Sequence, residues 1–263
     1  MESILQIENL WIFLTRNFTK IEGRMSLAIL LVIGLGIFLG FFIQTLIGFA
    51  GALIALPILL LVLGLKDAIA YISIFYFFSS VYLIAQEWRH IDRKIILKLT
   101  GATIIGVGLG IWVLAYGKPL FLKKALGVFI LLYVSYTMYA KDKVFKQPKL
   151  TFIFGLAGGF FSGLFSTGGP LYVIIVKNSS LTMKSFRATM FGVLGLITAI
   201  RIPTLYSAGI LNIEQVKYAM YIMPFFVLAV YLGKKAYAKI NELVLKNIVL
   251  ALLSISGIML VFN

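Results

Sequence analysis

The sequence predicts an all-α integral membrane protein built from two inverted repeats, each a glycine-broken helix hairpin plus three transmembrane helices. Three observations lead to this fold class. Of the 263 residues, 61% are hydrophobic and 13% are charged, whereas soluble domains carry about 25% charged residues. Residues 25–65 contain no charged residue and no histidine, and a bilayer-spanning helix needs about 20 predominantly apolar residues. Finally, two glycine-rich stretches occupy equivalent places in the two halves.

The composition excludes several other classes of protein. The chain has no cysteine and a single histidine, His90, so we expect no thiolate or multi-histidine metal site and no cofactor. The net charge of +15 does not indicate nucleic-acid binding, because the lysines and arginines lie in short clusters between apolar runs, as membrane topology requires. Neither Ser166 nor Thr167 has a candidate base nearby in the sequence, so we do not expect an enzyme.

Charged clusters and two glycine-rich breaks divide the chain into two corresponding series of apolar segments. The first series comprises residues 25–47, 49–65, 68–86, 95–117 and 120–140, and the second comprises residues 150–166, 170–176, 185–206, 216–233 and 243–262. This pattern predicts four regions: an N-terminal interfacial amphipathic segment (1–24), a first transmembrane repeat (25–140), a basic cytoplasmic linker (141–149) and a second transmembrane repeat (150–263).

An internal repeat relates the two series. Shifting the sequence by 118 residues aligns 40–70 with 158–188 without a gap and gives eight identities in 31 positions. If the halves are inverted, eight lysines and arginines collect on one face and fifteen on the other; otherwise the split is twelve to eleven. The positive-inside rule therefore favours inverted halves, with the linker in the cytoplasm and both termini outside. Duplicated halves are common in secondary transporters, which bind substrate at the repeat interface.

The two glycine-rich stretches predict broken helices. They read GFFIQTLIGFAGALIALP at 40–57 and GLAGGFFSGLFSTGGPLYV at 155–173. Glycine and proline interrupt helices, and irregular backbone at membrane depth is tolerated where protein or a water-filled cavity surrounds it. Helices that restart after Gly51 and Gly169 would direct free N–H groups at the breaks, which suits an anion. The alternative is that the glycines permit close helix packing. Whether the hairpins are re-entrant or fully spanning is left open.

These stretches, each followed by an apolar run and a Lys-x-x-x-Ala junction, resemble the TauE/SafE sulfite exporter family. The more specific match is FSGLFSTGGPL at 161–171, together with RIPTLYSAGIL at 201–211. The resemblance covers about residues 26–262. It implies a multi-pass permease of a bacterial-type inner membrane for sulfite, sulfonates or related organic anions. The first stretch departs from the family's commonest pattern at Gln44, Thr45 and the GFAG of 48–51.

Arg201 is the one arginine with apolar neighbours on both sides deep within a predicted span. A central arginine is costly in a bilayer, so we expect it to face the protein interior, where its donors suit an oxoanion. The alternatives are that it snorkels to the interface or forms a structural pair. We expect the oxoanion to lie between the two breaks and to meet helix N–H groups, hydroxyls and an amide. The predicted substrate-binding residues are Gln44, Gly48, Gly51, Ser166, Thr167, Gly168, Gly169 and Arg201.

These observations predict a transporter that exports sulfite or a related small organosulfur anion by alternating access. All acidic residues of the predicted repeats lie near segment ends, so we expect no carboxylate proton relay. An inside-negative potential favours anion export by about 2.3 kcal/mol per charge per 100 mV. An uptake permease and an anion-selective channel are the alternatives. The expected partners are the small anion and the lipid bilayer, not nucleic acid.

Overall fold

The computed structural model describes residues 26–139, 148–179, 182–237 and 242–262. These residues form ten α-helices and no β-strand, and a single 3₁₀ turn at Trp88–His90 follows the third helix. The helices are α1 (Leu27–Ile47), α2 (Gly51–Leu59), α3 (Leu65–Glu87), α4 (Arg93–Tyr116), α5 (Pro119–Tyr139), α6 (Pro148–Phe165), α7 (Gly169–Ser179), α8 (Met183–Ser207), α9 (Ile213–Tyr237) and α10 (Glu242–Phe262).

The all-helical membrane class is confirmed in this part of the chain. Six helices, α1, α3, α4, α5, α8 and α9, are long and apolar enough to cross a bilayer. The predicted amphipathic segment 1–24 and most of the linker 141–149 lie outside the described residues, although α6 begins at Pro148, inside the predicted linker.

Helix ends differ from the predicted boundaries where local polar groups extend a helix beyond its apolar run. Asn212 and Gln215 each donate a backbone N–H to the other's side-chain oxygen, at 2.9 Å in both directions. This reciprocal cap starts α9 at Ile213 rather than near 216. Asp67 lies in the first turn of α3, where a negative charge stabilises the helix dipole. The opposite holds for the segment predicted at 49–65, where helix α2 is shorter than the apolar run and ends at Leu59, shortly after Pro57.

Four helices of each predicted repeat pack against a helix of the other. Helix α4 packs along α6 and α9 packs along α1; α3 packs against α8, and α5 packs against α10. Helices α4 and α9 hold the same place in the two series, as do α6 and α1. The two series therefore interleave into one bundle.

Contacts between helix ends show the directions of the central helices. Glu87, at the end of α3, is 3.0 Å from Arg187 in the second turn of α8. Asp67, near the start of α3, accepts a hydrogen bond from Gln215 near the start of α9. Tyr237, the last residue of α9, stacks on Arg187. Helices α3 and α9 thus end where α8 begins, so α8 runs in the opposite direction to both. We call this end, formed by residues 87–94, 182–187 and 234–237, the basic end.

A glycine seam brings the backbones of α4 and α6 into contact. Gly106 and Gly110 of α4 face Gly159 and Gly163 of α6. A Cβ atom on Gly159 would lie 2.8 Å from the carbonyl oxygen of Thr103, which is too close for a carbon–oxygen contact. Small residues permit such close approach of helices in a bilayer. Gly159 and Gly163 of the second glycine-rich stretch therefore have the close-packing role that is the alternative to a broken helix.

Gly106→Ala should destabilise the protein by about 1–3 kcal/mol, because the new methyl group meets the α6 backbone, which cannot move aside cheaply. Gly108→Ala is the matched control on the same helix, since a Cβ atom there meets nothing within 4 Å. Thermal unfolding of the detergent-solubilised variants measures the difference. Equal melting temperatures for the two variants would contradict the seam.

Candidate functional site

Each predicted break contains a left-handed backbone residue at the same repeat position. Helix α1 ends at Ile47 and is capped by Gly48 (φ 90°), whose N–H donates to the carbonyl oxygen of Gln44 at 2.7 Å. Helix α6 is followed by Ser166 (φ 62°), which the 118-residue offset makes equivalent to Gly48. Left-handed backbone costs a non-glycine residue roughly 1–2 kcal/mol. Strained residues of this kind cluster at functional sites, and Ser166 keeps a side chain where the first half has none.

The two breaks touch. A Cβ atom placed on Gly169, the first residue of α7, lies 3.2 Å from the Cβ atom of Phe49 and 3.8 Å from the backbone nitrogen of Ala50. Ala50 is itself left-handed, with φ 72°, and directly precedes α2. The starts of the two short helices α2 and α7 therefore lie close together inside the bundle.

A small cavity lies beside the second break. It has a volume of about 10 Å³, which is room for about one water molecule. Helices α3, α6 and α8 and the second break provide its walls. The lining residues are Tyr76, Ser162, Ser166, Leu194, Ile197, Thr198 and Arg201.

Arg201 brings an unpaired guanidinium to this cavity. The residue is 2% exposed, and its Nε and Nη2 atoms have no hydrogen-bond partner in the described part of the chain. The hydroxyls of Ser166 and Thr167 are also buried without partners. Buried polar groups are nearly always hydrogen-bonded, and burying an unpaired charge is costly. These three side chains can therefore bond an anion without giving up a bond within the protein.

The backbone next to Ser166 offers further donors. The N–H groups of Gly168 and Gly169 make no hydrogen bond within the described residues, while the carbonyl oxygen of Gly168 accepts from the N–H of Leu171 at 3.1 Å. A Cβ atom on Gly168 would collide with the Ser162 hydroxyl, so this backbone packs directly on a cavity wall. The positive end of the α7 dipole reinforces these donors.

Sequence reasoning missed Tyr76. Its hydroxyl lines the cavity and accepts a hydrogen bond from the N–H of Ala52 at 3.0 Å. It thus caps the first turn of α2 and keeps its own proton for another acceptor. Tyr76 is equivalent to Leu194 by the 118-residue offset, and both line the cavity. Nothing in the aromatic run around Tyr76 distinguished it from core side chains.

The remaining predicted residues lie on the side of the first break. The amide nitrogen of Gln44 donates to Ser79 at 3.0 Å, and its oxygen lies against Gly51 without a hydrogen-bond partner. Gly48 packs against Arg187, with 3.1 Å between a Cβ position on Gly48 and Cγ of the arginine. The structure thus groups Ser166 and Arg201 in the cavity with Thr167 to Gly169 beside it, and leaves the first-break residues outside the cavity lining.

Sequence comparisons agree with the membrane architecture. The model of the family described as "Sulfite exporter TauE/SafE" matches residues 32–260, which is nearly the whole chain. Searches of curated proteins and of solved structures find no match to this sequence.

Arg201→Met should raise the free energy of unfolding by about 1–3 kcal/mol, because methionine fills a similar space without an unsatisfied buried charge. Arg187→Met is the matched comparison on the same helix. It should lower stability, since it leaves the partly buried Glu87 without its arginine. Thermal unfolding in detergent measures both effects. A loss of stability in Arg201→Met similar to that in Arg187→Met would show that Arg201 is paired.

Proposed function

Because the chain belongs to the TauE/SafE sulfite exporter family, a family of membrane transporters, we propose that it exports sulfite or a related small organosulfur anion by alternating access across a bacterial-type cell membrane. The observation that carries this proposal is the buried, unpartnered guanidinium of Arg201 in a cavity beside a helix break. An unpaired cation in the protein interior destabilises the fold, and a bound anion would compensate its charge.

The proposed binding mode uses the second break as the main anion cradle. Arg201 supplies a full positive charge, and the Ser166 and Thr167 hydroxyls and the Gly168 and Gly169 N–H groups supply neutral donors. A sulfur oxoanion that leaves water must regain hydrogen bonds for each oxygen, and charge-assisted bonds to a planar guanidinium are the strongest of these.

Two more hydroxyls extend the predicted set. Ser162 and Tyr76 line the same cavity as Arg201, so we add them to the proposed shell. Thr198 also lines the cavity, but its hydroxyl donates to the carbonyl oxygen of Leu194 at 2.7 Å. The direct contacts predicted for Gln44, Gly48 and Gly51 stay a prediction. In the described conformation these residues shape the first break, which abuts the second at Phe49.

Alternating access with inverted repeats fits the packing. Helices of the two series interleave in matching pairs, equivalent helices α3 and α8 run in opposite directions, and equivalent positions Gly48 and Ser166 share a left-handed backbone. The cavity holds about one water molecule, so an oxoanion requires the bundle to rearrange before it can enter. These features favour a carrier over an open channel.

Arg201→Ala should weaken sulfite binding about 10-fold to 100-fold, since a charge-assisted hydrogen bond contributes roughly 1.5–3 kcal/mol. Arg201→Lys should recover part of this loss, because a point charge lacks the planar fork of arginine. Isothermal titration of purified protein with sulfite measures both. The exposed Arg89→Ala is the control. Unchanged affinity in Arg201→Ala would show that the helix ends bind the anion without this arginine.

Efflux of sulfite from proteoliposomes should increase with an inside-negative potential and should require no sodium gradient. None of the cavity-lining residues is acidic, and the potential itself contributes about 2.3 kcal/mol per charge per 100 mV. Potassium–valinomycin gradients set the potential, and flux is compared with and without sodium. A strict sodium requirement would overturn potential-driven export and indicate a cation site at the breaks.

A further inference from the structure

A second buried arginine lies on α8, near the basic end, and the binding mode proposed above does not use it. Arg187 is 5% exposed. Its Nη2 atom is 3.0 Å from a carboxylate oxygen of Glu87, and its Nη1 donates to the carbonyl oxygen of Thr45 at 3.3 Å. Its Nε has no hydrogen-bond partner among the described residues. A guanidinium has five N–H donors, so Arg187 keeps donor capacity free inside the protein.

Arg187 and Arg201 lie on one face of α8. They are 14 positions apart, which is about 21 Å along the axis and close to a whole number of turns. Between them this face carries Met190, Leu194 and Thr198, all buried. Leu194 and Thr198 line the cavity, and Met190 packs against the first break. One line of side chains therefore leads from the basic end to the cavity.

Glu87 presents to Arg187 the same chemistry as an oxoanion. Its carboxylate oxygen meets the guanidinium at hydrogen-bond distance, and its side chain is 15% exposed, so it lies between the interior and the surface. The ring of Tyr237 stacks on the guanidinium, with 3.8 Å between Cζ and the ring centre. This stacking fixes the plane of the guanidinium. An anion that takes the place of Glu87 finds its donors already oriented.

We propose that Arg187 is a second anion-binding position, at the basic end and on a route to the cavity, and that Glu87 closes this route until an anion displaces its carboxylate. The inference rests on the transport function proposed above. Glu87 and Arg187 link α3 to α8, the two helices that also supply Tyr76 and Arg201 to the cavity. Loss of the ion pair removes one link between these helices at the basic end, where the Ser185 hydroxyl still donates to the carbonyl oxygen of His90 at 3.1 Å.

Paired substitutions separate this role from that of a purely structural ion pair. Glu87→Gln removes the competing charge, so the half-saturating sulfite concentration for flux should fall about tenfold. Arg187→Gln removes the binding group, and the same quantity should rise about tenfold. The control Arg89→Gln replaces an exposed arginine at the same end of the bundle and should leave the half-saturating sulfite concentration unchanged. A structural ion pair predicts shifts in the same direction for the Glu87 and Arg187 variants, and that result would overturn the proposal.

A second experiment needs no transported substrate. The chain has no cysteine, so Thr198→Cys places a single thiol in the cavity; Ser162→Cys serves if that variant fails to fold. In solubilised protein, adding Glu87→Gln should speed thiol modification by an anionic methanethiosulfonate at least about tenfold, and more than by a cationic one. The Arg89→Gln background should match the parent.

The two experiments distinguish the possible failures. No acceleration of thiol modification, or equal acceleration for both reagents, would overturn the anion-binding role of Arg187. If the wild-type protein carries no sulfite while the anionic reagent is selectively accelerated, the proposed substrate is wrong and the second position stands. Size-exclusion profiles of each variant verify folding.

Discussion

Backbone that leaves the helical path inside a bilayer must find its hydrogen-bond partners within the protein, because lipid supplies none. The two helix breaks lie inside the bundle, and side chains of neighbouring helices bond part of their backbone. Arg187 bonds the carbonyl oxygen of Thr45 near the end of α1, and Tyr76 accepts the N–H of Ala52 at the start of α2. The first break is therefore stabilised by long side chains from α8 and α3.

At the second break, by contrast, several hydrogen-bond donors are left without partners. Among the described residues, the N–H groups of Gly168 and Gly169 and the buried hydroxyls of Ser166 and Thr167 have no hydrogen-bond partner. Arg201 adds an unpaired charge to the same region. The two breaks thus share a left-handed backbone at Gly48 and Ser166 and differ in their side chains.

The sequence predicted most of the helices because their apolar runs are long and separated by charges. It predicted both breaks because glycine and proline act locally, and it identified Arg201 because a lone charge in an apolar span is conspicuous. It could not identify Tyr76, whose role depends on a contact with Ala52 on another helix. It counted Arg187 only among the fifteen basic residues of one membrane face, because burial of that side chain depends on Glu87 and Tyr237, which are distant in the chain.

The interleaved pairing of helices has a consequence for biogenesis. Helix α1 packs along α9, and α4 packs along α6, so α1 meets α9 only after the seven helices between them have been made. A ribosome-bound intermediate that has inserted the first five helices exposes the glycine-lined faces of α1 and α4 to lipid. Neither half can complete its packing by itself, because the contacts of α1 and α4 with their partners form only when helices of the second half are present.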